Sequence, residues 1–130
     1  MRIAAIVVRI LLGLLFLFAS VAVLFNLVPQ PEMTGRVKVF NDGIAASGYL
    51  ITLLKVTELV CSVALLTGRY VPLALVVLAP IIVNILFFHS FVAPEGLPVA
   101  IFAFIAAIFL AYVYRKSYTP LFVARPQLLK

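Results

Sequence analysis

Cysteine, histidine and acidic residues are all scarce in this sequence, and each shortage removes a class of chemistry. Cys61 is the only cysteine among 130 residues, so no intrachain disulfide and no C-x-x-C redox pair can form. A dithiol mechanism would need its second thiol from a partner, and Cys61 reads as a small apolar filler. His89 is the only histidine, which excludes bis-histidine haem ligation within one chain. No carboxylate–histidine cluster has the spacing of a metal site, so no metal is expected. The sequence also has no G-x-G-x-x-G, P-loop or nucleophile elbow, and no other recognisable cofactor motif.

Charge is thin. Only 11% of residues are charged, against about 25% in an ordinary soluble domain. The net charge of +6 comes from ten Lys and Arg against four acids, and most of the basic residues fall at segment ends. No basic face interleaved with aromatics is present, so nucleic acid is not an expected partner.

What the sequence has in abundance is hydrocarbon. Hydrophobic residues make up 66% of the chain and the mean hydropathy is +1.29. A soluble protein of this size would expose apolar patches far beyond the few hundred Å² that monomers tolerate. The chain therefore reads as an all-α integral membrane protein whose solvent is the lipid bilayer.

A helix crosses the hydrocarbon in about 20 residues. Four spans satisfy this, at about 3–28, 45–67, 71–88 and 98–114, in a single domain covering 1–130. The first follows Arg2 as a signal peptide would, but its apolar run is too long, Arg9 interrupts it, and no convincing cleavage site follows. Pro29 and Pro31 are expected to end it. Between the first two spans, at 32–44, Met33, Val37, Phe40 and Ile44 fall on one helical face with Arg36, Lys38 and Asp42 elsewhere. That pattern predicts a short helix lying in the interface. Gly68, Arg69 and Tyr70 form a tight hairpin turn, and Pro80 sits inside the third span.

Both termini on one side place Arg2, Arg69, Arg115, Lys116, Arg125 and Lys130 together, against Arg36 and Lys38 on the other. Positive charge collects on the cytoplasmic side, so the expectation is a multi-pass protein of the inner (plasma) membrane with both termini and the tail at 117–130 cytoplasmic. Short connections predict a four-helix up-down bundle.

Within the spans a few polar residues stand out. On the first, Arg9, Gly13, Phe16 and Ser20 share a stripe; on the second, Gly48, Thr52, Lys55 and Ser62 share a face with Glu58 beside it. The third offers Asn84. The fourth shows only a small-residue seam, Ala103, Ala107 and Ala111, that lets backbones approach closely. Counting about 1.5 Å per residue from the cytoplasmic end, Arg9 lies roughly 9 Å in, Glu58 roughly 14 Å, and Lys55 and Asn84 roughly 18–20 Å. The simplest arrangement is a buried cluster, Arg9–Glu58–Lys55, with Asn84 at its edge. Three unpaired ionised residues at such depth would cost roughly 8–10 kcal/mol, so pairing must recover most of that or one of them must be neutral. The plainer alternative is a Lys55–Glu58 pair that only locks packing while Arg9 snorkels to the surface. Thr52, Ser62, His89 and Asn26 are secondary candidates; His89 and Asn26 fall at the outer ends of their helices and read as interfacial hydrogen-bonding or capping residues.

The segments G-Y-L-I-T-L-L-K-V-T-E-L-V-C at 48–61, T-G-R-Y-V-P-L-A-L at 67–75, L-A-P-I-I-V-N-I-L-F-F-H at 78–89 and L-A-Y-V-Y-R at 110–115 resemble the DoxX family of small membrane proteins. The resemblance extends from R-I-L-L-G-L-L-F at 9–16 to Y-T-P-L-F at 118–122. It implies a four-helix bacterial inner-membrane protein. The family takes its name from a subunit associated with terminal oxidase and thiosulfate:quinone oxidoreductase activity, and some relatives are linked to membrane oxidoreductase complexes. The expected function is therefore an accessory subunit of a quinone-linked redox system, not catalytic alone, with a quinone as ligand and oxidoreductase subunits or a second copy as partners. A small proton-coupled carrier and a purely structural interaction protein are the alternatives.

Overall fold

The computed structural model describes residues 1–27 and 32–129. Its elements are helices throughout: α1 (Arg2–Leu24), α2 (Gly35–Ala46), α3 (Leu50–Thr67), α4 (Val71–Phe91) and α5 (Leu97–Val113), with short 3₁₀ turns before and after α5. Among the described residues, α1, α3, α4 and the segment Pro94–Val113 that contains α5 are long and apolar enough to cross a membrane. Pro29 and Pro31 lie outside the described residues, as does the expected end of the first span at 28.

Local chemistry sets the boundaries. α1 stops at Leu24 because Asn26 turns left-handed (φ 52°) and the Leu27 and Asn26 amides return to the Ala22 and Val23 carbonyls. That is a Schellman cap with asparagine in the position usually held by glycine. The second span begins at Leu50, later than 45, because α2 extends to Ala46 and Gly48 then takes φ 81°. The Ser47 hydroxyl oxygen accepts from the Leu50 amide at 3.0 Å and so caps the start of α3. Gly68 (φ 75°) and Tyr70 (φ 58°) make the α3–α4 hairpin, and α4 continues through Pro80 to Phe91, three residues past the expected end.

The four spanning helices form a ring in which α1 packs on α3, α3 on α4, α4 on α5, and α5 closes back on α1. This is the up-down bundle that short connections favour. The centre holds Leu12 and Phe16 of α1, Leu65 of α3, Leu75, Leu78 and Ile82 of α4, and Ala103, Ala106 and Leu110 of α5. Leu11, Phe18, Val60, Leu73, Phe87 and Ile105 point outward and are exposed, as lipid-facing residues must be. In lipid, burial of apolar surface gives little drive for helices to associate, so close packing carries the bundle. Within the ring, α1 comes close to α3 at Gly13, where an added Cβ would stand 2.9 Å from Leu66 Cγ and 3.3 Å from Leu65 Cβ.

α2 lies apart from the ring, with Met33, Val37, Phe40 and Ile44 half-buried and Arg36, Lys38 and Asp42 exposed. Phe40 rests on Phe88 of α4 with ring centroids 4.8 Å apart, and Lys38 pairs with Asp42 at 2.8 Å. The tail folds back on the bundle. The Tyr118 hydroxyl donates to the Pro72 carbonyl at 2.8 Å, and burial raises this phenol above its ordinary range, keeping it a donor.

Candidate intramembrane polar site

Glu58 is the ninth of the 18 residues of α3, so it stands near mid-membrane, roughly 13 Å from either end of the helix. Its side chain is 3% exposed, and Lys55, one turn earlier, is 18% exposed with Nζ 3.0 Å from Glu58 Oε2. The contact is short enough for an ion pair, yet among the described residues Oε2 has no properly directed hydrogen bond. The carboxylate is thus paired in charge but keeps unused accepting capacity. An ammonium has three donors, so Lys55 also has donors beyond the one facing Glu58.

Helix phase shows which seam holds the pair. At about 100° per residue, Lys55 and Ser62 lie about 60° and 40° to one side of Glu58, and Cys61 about 60° to the other. Gly13 of α1 meets Leu65 and Leu66, and Leu66 lies on the Lys55 side, so the pair faces the α1–α3 seam. Continuing that antiparallel register upward brings buried Ser20 level with Glu58. Ser20 Oγ donates to the Phe16 carbonyl at 2.7 Å, and Ser62 Oγ to the Leu59 carbonyl at 2.7 Å. Both hydroxyl protons are satisfied within their own helices, which leaves the serine lone pairs as the polar lining of the seam.

The same register carries Arg9 elsewhere. One turn below Gly13, Arg9 meets Gly68: a Cβ on that glycine would stand 2.6 Å from Nη1 and 3.2 Å from Cζ. Gly68 lies ten residues past Glu58, about 15 Å along the helix, so Arg9 does not join the Lys55–Glu58 pair. The first turns of α1 reach beyond the hairpin, and Arg9 lies at its level; this is the snorkelling arrangement. Gly68 thus serves twice, supplying the left-handed turn and the space for a guanidinium whose buried Nε has no partner among the described residues.

Asn84 is exposed on the outer side of α4, two residues past inward-facing Ile82, and Thr52 is exposed on α3. Neither joins the pair. His89 is half-buried at the end of α4, where Nδ1–H donates to the Ala93 carbonyl at 2.9 Å and the ring fills the space over Gly96. Asn26 is the α1 cap described above. Of the expected four-residue cluster, then, the structure unites Lys55 and Glu58. Among the described residues no three His, Cys, Asp or Glu side chains gather as a metal site.

The DoxX family model matches residues 4–91. The chain belongs to the DoxX family. The match takes in α1 to α4, including the K-x-x-E pair, the G-R-Y hairpin and the Asn84–His89 segment, and ends before α5 and the tail of this DoxX protein. No curated protein and no solved structure matches the chain.

Proposed function

We propose that this DoxX protein is an accessory, non-catalytic membrane subunit of a quinone-linked redox system, and that Lys55 and Glu58 are where it holds a quinone head group. One observation carries the reading: a nearly fully buried carboxylate at mid-membrane depth with an oxygen that lacks a directed hydrogen bond, beside an ammonium with donors to spare. Ionisable residues at this depth are costly and mark ligand or proton paths more often than packing devices.

The donor set suits the ligand. The Lys55 ammonium donates to a quinone carbonyl oxygen, and the Glu58 carboxylate accepts from the hydroxyl of the reduced quinol. Electron transfer belongs to a partner subunit; this chain binds the head group and orients it, and Glu58 is placed to relay a proton to or from it. Lys55 is the more exposed member of the pair, so a head group would meet its ammonium first.

Gentle extraction from native membranes followed by mass spectrometry of the lipid extract tests this. Quinone is expected to co-purify with the wild-type chain and to fall at least about tenfold in Glu58→Gln, the equivalent of losing one charge-assisted hydrogen bond. Absence of quinone from the wild-type extract, or equal amounts in both, overturns the proposal.

A further inference from the structure

A second feature, independent of the polar pair, lies on the opposite side of the bundle. α4 and α5 are separated on their outer face by an apolar furrow of about 500 Å³. It exists because Ala79 of α4 and Ala107 and Ala111 of α5 leave a channel between the larger Val76, Val83 and Ile108. Along α4 it runs from Leu75 to Val83, about 12 Å, close to the roughly 15 Å that one leaflet contributes to the hydrocarbon core.

The end of the furrow nearest the tail is capped by polar groups. Tyr112, Arg115 and Tyr118 line it there, and among the described residues no acidic side chain lines it. Arg115 is exposed, with its Cζ 4.4 Å from the centroid of the Tyr112 ring and Nη1 donating to the Tyr112 carbonyl at 2.9 Å. These two contacts hold the guanidinium over the mouth while using one of its five N–H donors. Tyr118, pinned to Pro72, fixes the tail as one wall.

We infer that the furrow is a binding site for one anionic phospholipid of the leaflet on the terminal side, with an acyl chain lying between α4 and α5 and the phosphate on Arg115. Charge complementarity selects this occupant. A fixed cation at headgroup level over a one-leaflet apolar channel suits a lipid of net negative charge better than a zwitterionic one, whose own cation Arg115 repels. A second furrow of about 540 Å³ lies between α3 and α4, with Tyr70 at its mouth and no charged residue among its lining, and so serves as an internal control. The family match ends at residue 91, before the α5 and tail residues that build the site.

The absence of tryptophan from the sequence makes the test direct. Val76 lines the α4–α5 furrow and Val77 the α3–α4 furrow, adjacent on one helix and equal in depth. Single Val76→Trp and Val77→Trp proteins in bilayers are titrated with chain-brominated phosphatidylglycerol and, separately, chain-brominated phosphatidylcholine. Tryptophan at 76 is expected to be quenched with about fivefold preference for the anionic lipid, the increment of one basic residue at an anionic surface, and tryptophan at 77 with none. Arg115→Gln in the Val76→Trp protein removes the preference, and Arg115→Lys keeps it. Equal preference at both positions, or a preference that survives Arg115→Gln, overturns the inference. So does tryptophan at 76 that neither lipid quenches, which means protein fills the furrow.

Discussion

Lys55→Met is expected to destabilise the folded chain by about 3–5 kcal/mol, and adding Glu58→Leu to it is expected to restore most of that loss. Lys55 is the cation 3.0 Å from a carboxylate that is 97% shielded, so removing it leaves Glu58 with no opposite charge in a low-dielectric seam. Removing both partners leaves no buried charge, and leucine and methionine match the volumes they replace. Unfolding of the purified protein in mixed micelles, followed by helicity as dodecyl sulfate is raised, measures each arm of this cycle. A double variant as unstable as Lys55→Met would mean the pair contributes specific contacts beyond charge neutralisation.

Gly13→Leu should separate α1 from α3 and cost about 3 kcal/mol or more, the upper end of the range for overpacking a filled interface. Gly13 is fully surrounded, and a first carbon there already meets Leu66 Cγ at 2.9 Å and Leu65 Cβ at 3.3 Å. Three further carbons have no space unless the helices part. Because one register sets both Arg9 against Gly68 and Ser20 level with Glu58, the same substitution disturbs the polar seam. Gly13→Ala, whose methyl needs Leu66 and the Leu65 Cβ each to give by a few tenths of an ångström, should cost about 1 kcal/mol in the same unfolding experiment.

These two sites show what a sequence of this kind reveals and what it withholds. The spans and the short helix between the first two are legible because hydrocarbon thickness sets a length and a 3.6-residue period runs through the polar segment from Met33 to Ile44. The Lys55–Glu58 contact is legible because residues three apart on a helix are neighbours. The destination of Arg9 is not, since it depends on how α1 slides against α3, and that is fixed by Gly13 meeting Leu65 and Leu66 some 50 residues away. The outward face of Asn84 is hidden for another reason: α4 is apolar nearly all round, so no polar stripe tells its inner side from its outer. Nor does any local pattern announce the Tyr118 hydroxyl on the Pro72 carbonyl, 46 residues apart, which closes the tail over the bundle. Asn26 and Gly48 shift the helix ends through left-handed backbone, a signal that single asparagines and glycines carry only weakly.

Lys55 and Glu58 are proposed to act on a ligand and to do more than fix packing. The paired variant Lys55→Met with Glu58→Leu separates the two roles, because it is expected to fold. The decisive measurement is quinone-linked oxygen uptake by native membranes carrying the paired variant at wild-type abundance, compared with membranes lacking the protein. Uptake is expected to fall to the level seen without the protein; uptake equal to wild type would leave the pair a packing element only.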